Sequence, residues 1–259
     1  MERGDEAYQV RSRRMTTEFD QGIAGRGAIG VIVLATEKTL ECEWRKLFTM
    51  NGIAVYESRI MSPRLISVES LATMKKDIAY AAQLIQPGEP LHVLAYACTS
   101  GAMVIGEAAV FELMRRSHSE AACTTPITGA LAAFEALQVK RVALLTPYVE
   151  QVNEMMRGYL EARNIAVPAI GSFYREDDSE VARISPASIK SAVVELGRHG
   201  EVDAVFVSCT TLRVAEIAQS AEDLLGKPVI SSNLALAWHS LRLAGYNEPV
   251  PGWGALLRR

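Results

Sequence analysis

LHVLAYACTSGAMVI at 91–105 and DAVFVSCTTLRVAEI at 203–217 follow one plan: an apolar run that stops at a cysteine, hydroxyl residues directly behind it, then a segment able to be helical. Short runs this apolar fit strands buried on both faces of a parallel sheet. Cys98 and Cys209 then stand at the carboxyl ends of two strands, the edge where open α/β sheets take their ligands. A helix starting behind such a thiol offers unpaired amides and the positive end of its dipole, which favour thiolate. Two thiols over one cleft suggest paired acid/base or nucleophilic chemistry without a metal or cofactor.

Outward from these runs, strands and helices alternate. AIGVIVLA at 28–35 predicts a strand, and Leu40, Trp44 and Leu47 recur at helical spacing behind it. IAVYESRI at 53–60 predicts a strand, and 68–85 a single amphipathic helix ended by Pro87 and Gly88. A second cycle begins near Pro126, with helices over 125–139, 149–164 and 185–200 and strands in 139–148 and 167–175 before the second cysteine run. KPVISS at 227–232 answers CTTPIT at 123–128, each following the helix behind a cysteine. The expected fold is therefore α/β, two pseudo-symmetric doubly wound βαβα halves at 28–125 and 126–233 with the active site in the cleft between them. Residues 234–259 are expected to form a C-terminal helix packing back on the first half, and 1–27 a flexible extension.

Composition removes several classes. The 259 residues are 49% hydrophobic and 22% charged, with net charge −3. No basic footprint for nucleic acid or an anionic membrane surface exists. No apolar run approaches the roughly 20 residues of a membrane span, and the charged MERGDEAYQVRSRRMTTEFDQG start lacks a signal's apolar stretch, so a cytoplasmic location is expected. The four cysteines, 42, 98, 123 and 209, include no CxxC pair, and reduced thiols are expected. His92, His118, His199 and His239 show no HxH or HExxH spacing, and GxGxxG, GxxxxGK[ST] and GxSxG are all missing. Neither a metal nor a cofactor is expected.

Cys98, read alone, suits a core position as well as a reactive one. Thr99, Ser100 and Gly101 behind it supply hydroxyls and an open amide, the materials of a carboxylate-binding helix start, and Thr210 and Thr211 repeat the hydroxyls behind Cys209. Cys42 and Cys123 lack that setting and are assigned structural roles. Tyr148 closes a strand before a helix, either as a cleft residue or as a half-buried aromatic with a wet hydroxyl. Glu37 and Lys38 lie in the first strand-to-helix turn and Asp177 and Asp178 in a later loop, where solvated charges are common. Ser231, Ser232 and Asn233 suit either the site or the cap of the last helix.

ACTSG at 97–101, LLTPYVEQVNE at 144–154, EDDSEVARI at 176–184, SCTTLR at 208–213, PVISSN at 228–233 and the closing PGWGALL resemble the aspartate/glutamate racemase superfamily. Within it they resemble the branch of maleate cis-trans isomerase, arylmalonate decarboxylase and the ectoine-utilization protein A group. The resemblance implies catalysis by Cys98 and Cys209 without a cofactor. It further implies a small carboxylate substrate held by Glu37, Thr99, Ser100, Tyr148, Asp178, Thr210, Thr211 and Asn233, and a homodimer by analogy. Carried over from maleate isomerase, Cys98 is the nucleophile that adds to a double bond and Cys209 the acid/base; in a racemase the pair exchanges a proton beside a carboxylate. The decarboxylase branch keeps only the second cysteine, so both together resemble the isomerase or racemase side. Two positions depart from the maleate pattern: Glu37 replaces an asparagine, and Asp177 and Asp178 stand where it has DN. Two carboxylates beside a dianion repel it by several kcal/mol at about 4 Å and an effective dielectric near 20. They suit a cationic or zwitterionic amino-acid derivative, as in ectoine or hydroxyectoine breakdown. Maleate isomerisation, arylmalonate-type decarboxylation and a catalytically inactive ligand-binding protein remain the alternatives.

Overall fold

The computed structural model describes residues 12 and 14–259. The first half runs β1 (Gly27–Leu34), α1 (Leu40–Leu47), β2 (Ile53–Ile60), α2 (Val68–Thr73), α3 (Lys75–Gln83), β3 (Val93–Tyr96), α4 (Thr99–Ile105), α5 (Glu107–Arg115) and β4 (Ala122–Thr124). After α6 (Pro126–Ala136) come β5 (Arg141–Thr146), α7 (Glu150–Glu161), β6 (Ala166–Ser172), α8 (Asp178–Val181), α9 (Pro186–Gly197), β7 (Ala204–Val207), α10 (Ala215–Leu225), β8 (Val229–Ser231) and α11 (Ser232–Leu243). A 3-10 turn, Leu256–Arg258, closes the chain.

Two four-stranded sheets result, ordered β2-β1-β3-β4 and β6-β5-β7-β8, with every pairing parallel. The matching order gives both halves one winding. β3 and β7 carry the two cysteine runs; neither contains a charge, and all their residues are buried. That follows from helices covering both faces of a parallel sheet. Apolar residues of both sheets and their helices form one continuous core.

The helices that follow β4 and β8 join the halves. Thr125 caps α6 with Pro126 in its first turn, and the Ser231 hydroxyl caps α11 by accepting the Leu234 amide. α11 packs against α6 and reaches back to β3, β4 and α1, while α6 touches β8. Gly129 permits this crossing, because a Cβ there would stand 2.6 Å from the Ala235 carbonyl oxygen and 2.9 Å from its carbon. Backbone cannot swing aside as a side chain does. Gly129→Ala is expected to force the two helices apart at about 1–3 kcal/mol, lowering Tm by about 3–10 °C in a thermal melt.

One expectation needs correction. The periodic stretch 68–85 is two helices, broken at Met74. Ser67 and Ser70 form a reciprocal capping box at the start of α2, and Thr73 donates back to the Ser70 carbonyl at 2.7 Å. The break sets Leu71 and Met74 into a cavity wall. At the amino end, residues 1–11 and 13 of the expected extension lie outside the described residues, while 14–26 carry no helix or strand. No helix among the described residues is long and apolar enough to cross a membrane.

Candidate active site

The carboxyl ends of both sheets open on one cavity of about 400 Å³, and Cys98 and Cys209 both line it. From the residues expected at the site it also collects Thr99, Ser100, Tyr148, Asp178, Thr210 and Thr211. The remaining wall is largely apolar: Leu34, Thr36, Ser62, Pro63, Leu65, Ile66, Leu71 and Met74. Sequence reading missed all eight. Half of them lie on the loop behind β2, which crosses to the second half: Ile66 donates its amide to the Glu176 carbonyl at 3.1 Å, and Arg64 pairs with Asp177 at 2.6 Å. The rule that ligands gather at strand carboxyl ends applies to β2 as it does to β3, and would have located this loop.

The two cysteines are held differently. Cys98 is the N-cap of α4, its Sγ accepting the Gly101 amide at 3.3 Å. A Cβ at Gly101 would lie 2.9 Å from that sulfur and 2.9 Å from the Tyr96 hydroxyl, so a larger residue there would displace the Cys98 side chain. Cys209 has no helix directly behind it; α10 begins only at Ala215. Instead its backbone takes φ +152°, a conformation that L-residues rarely adopt. The Cys209 amide is fixed by donating to Ser232 Oγ at 3.1 Å, and that hydroxyl also bonds Thr99 Oγ1 at 2.8 Å. Ser232 thus ties the turn behind one thiol to the turn behind the other.

The protein's own groups hold both thiols above their ordinary value. Burial pushes Cys98 up to about 12, opposed by the Gly101 amide and the Ser100 hydroxyl and reinforced by the charges of Asp178 and Glu37. Burial pushes Cys209 up to about 12 as well, with Asp178 adding to it against the Tyr148 hydroxyl and the Thr211 amide. The short helix behind Cys98 does not outweigh the loss of water and two nearby carboxylates. Thiolate is favoured only as pH rises. With both thiols raised, alkylation of these two cysteines should climb about tenfold per pH unit from 7 to 9 without a plateau, as mass spectrometry of peptides would follow.

Tyr148 is buried beside both sulfurs, its phenol raised well above the ordinary value by burial and then by Cys209 and Cys98. Its backbone is pinned: Tyr148 N donates to Thr146 Oγ1 at 3.1 Å, and Asn153 Nδ2 donates to the Tyr148 carbonyl at 3.1 Å. The alternative of a wet surface hydroxyl is excluded.

The carboxylates divide their work. Glu37 Oε1 accepts the amides of Lys38, Thr39 and Leu40 at 2.9, 2.6 and 3.0 Å, capping the entry to α1, while its buried Oε2 has no hydrogen-bond partner. Burial raises the Glu37 carboxyl, and Asp178 raises it further. Asp178 Oδ1 accepts from Thr211 Oγ1 at 2.8 Å, and its buried Oδ2 likewise lacks a partner. Glu37 is not a surface residue of the cavity but stands behind it. Asp177 turns away to cap α8 and pair with Arg64, which holds its carboxyl below the usual range.

Asn233 does not line the cavity, contrary to the substrate-binding role expected of it. Its Nδ2 donates to Glu43 Oε2 at 2.7 Å and to the Thr210 carbonyl at 2.8 Å, so it braces the Cys209 turn from behind. Glu43, unforeseen, also accepts the Ala215 amide at 2.9 Å, and burial pushes it up to about 7. An acid one position before Trp44 on the apolar face of α1 was the available signal. Cys42 is exposed rather than structural; Cys123 is buried. Among the described residues no cluster of three or more His, Cys, Asp or Glu is placed to hold a metal.

Two thiols facing one small cavity across twin parallel sheets define a cysteine-based α/β enzyme of the racemase type. The sequence profile of the arylmalonate decarboxylase family matches residues 46–257, and the chain belongs to that family. It is 30% identical over 241 residues to the maleate isomerase of Nocardia farcinica, covering 89% of this chain and 95% of the relative. The solved structure of Nocardia farcinica maleate cis-trans isomerase bound to TRIS superposes with a TM-score of 0.82 at 28% identity, over 90% of this chain and 98% of that one. A further structure of that isomerase, also at TM-score 0.82, 28% identity and the same coverage, is a cysteine-to-serine mutant with a covalently bound succinylcysteine intermediate. The chain is an isomerase of this family.

Proposed function

We propose that this enzyme isomerises or racemises a small carboxylate that also carries a cation, an amino-acid derivative of the kind met in ectoine and hydroxyectoine breakdown. One observation carries the reading: Glu37 Oε2 and Asp178 Oδ2 are buried carboxylate oxygens without partners, close enough to raise both thiols. Buried anions left unsatisfied are costly, and an ammonium or amidinium in the cavity would bond Asp178 directly and offset the charge of Glu37 behind the wall. The same cation offsets the negative charge that disfavours thiolate. The substrate carboxylate is placed at the α4 start, against the amides and hydroxyls of Thr99 and Ser100.

In the racemase form, one thiolate takes the proton from the carbon beside the carboxylate and the opposite thiol returns one to the other face, leaving the pair with its protonation exchanged. In the cis-trans form, the Cys98 thiolate adds to one alkene carbon while Cys209 protonates the other. Rotation about the new single bond follows. Elimination then returns the proton to Cys209 and frees Cys98. The succinylcysteine of the Nocardia farcinica relative supports the second form; carboxylates near the thiols favour a substrate other than a dianion. Maleate itself is the second reading, favoured by the identity to maleate isomerases along the chain.

Incubation in D2O with ectoine, hydroxyectoine and diaminobutyrate derivatives is expected to place deuterium beside the carboxylate of at least one, seen by NMR. Rapid conversion of maleate to fumarate with no exchange into any cationic substrate would reverse the order of the two readings.

A further inference from the structure

A second cavity, of about 560 Å³, lies on the far side of the Cys209 turn, between α1, the residues leading into α10 and Trp253. Its lining includes Lys38, Lys46 and Arg213. Among the described residues none of these three has a carboxylate within ion-pair distance. The acids of α1 do not compensate them: Glu41 pairs with Arg45 and Arg59 on another face, and Glu43 is committed to the Ala215 amide and Asn233. Glu216 is the other acid in the lining and is exposed. Arg213 donates to the Ile184 carbonyl at 2.8 Å, and its buried Nε has no partner. In a chain of net charge −3, three cations without ion-pair partners against the two acids Glu43 and Glu216 leave this concavity net positive.

We infer that this cavity binds a small dicarboxylate. Two acid groups suit the layout: Lys38, whose Nζ donates to Ser179 Oγ at 2.9 Å, lies in the turn before α1, Lys46 in the last turn of α1, and Arg213 faces in from the other wall. Trp253, half-buried in the lining, covers the carbon skeleton between them. On the reading proposed above, the catalytic cavity, lined by Asp178 with Glu37 behind its wall, disfavours such a ligand, so the two sites differ in charge preference. They share supports. Thr39, in the second lining, donates to the Thr211 carbonyl at 2.7 Å, and Glu43 holds both Ala215 and the Asn233 that braces Thr210. A dicarboxylate seated there acts on the turn that carries Cys209.

Cys42 supplies the readout, because it is exposed in this lining while the other three cysteines are buried. The full chain is treated with iodoacetamide at pH 8 in rising succinate or malate, with sodium chloride matched for ionic strength, and Cys42 labelling is followed by mass spectrometry. The expected result is a saturable slowing of at least fivefold that Lys46→Gln weakens at least tenfold in apparent affinity. Slowing equal to the chloride control overturns the proposal. Protection that survives both Lys46→Gln and Lys38→Gln does so too, as does protection that follows chain association in light scattering, which would put a second copy there. Because the labelling does not depend on turnover, the outcome stands whichever substrate the catalytic cavity takes.

Discussion

Cys209→Ser is expected to lower turnover of the true substrate by at least about 10³-fold while leaving its binding within a few-fold, measured by steady-state kinetics and calorimetric titration. Serine keeps the shape of the turn but replaces a polarisable thiol with a hydroxyl several units less acidic, so it neither donates nor accepts the proton at a useful rate. The strained backbone at residue 209 is set by Ser232 and by the run of β7, not by the sulfur, and should persist. Cys98→Ser is expected to be equally inactive, because the opposite face of the substrate then lacks its partner. That symmetry discriminates. A decarboxylase working through Cys209 alone would keep its rate in Cys98→Ser with an arylmalonate, and a ligand-binding protein would show no turnover in the parent either.

Much of this was legible in the chain because the strands are buried on both faces. Uncharged runs such as VLAY and AVFV have one environment open to them in a parallel sheet, and a cysteine at their end is necessarily at the ligand edge. What the local pattern cannot carry is long-range partnership. Asn233 reads as a cap or a ligand from its neighbours in sequence, yet its role is decided by Glu43, 190 positions away. The thiol acidity was misjudged for the same reason. A helix start is visible from the residues behind Cys98, whereas the burial that dominates comes from the closed cavity, and the smaller contribution of Asp178 from the other half. The break at Met74 escaped because apolar periodicity continues through it, and only the serine pair at 67 and 70 marks the earlier helix as a separate unit.

The paired change Glu37→Gln with Asp178→Asn is expected to reverse the charge preference of the catalytic cavity. Each neutral amide keeps a hydrogen-bonding oxygen for its present donors, the α1 amides for residue 37 and Thr211 for residue 178, so the fold should survive. Loss of the Asp178 anion and of the Glu37 charge behind it removes what holds the substrate cation, and kcat/KM for the cationic substrate should fall about 10²- to 10³-fold, the scale of charge-assisted interactions lost in a buried site. Maleate should gain in the same variant. Both carboxylates raise the thiols, so their removal must lower the pKa of Cys98 and Cys209. At fixed pH 8 the variant's two cysteines should therefore alkylate faster than the parent's even as its cationic turnover falls. Substrate recognition and thiol acidity are set by the same two oxygens and respond in opposite senses. A variant that lost cationic turnover with slower alkylation would mean that Glu37 and Asp178 stabilise the thiolates, and the electrostatic account of this site would fail.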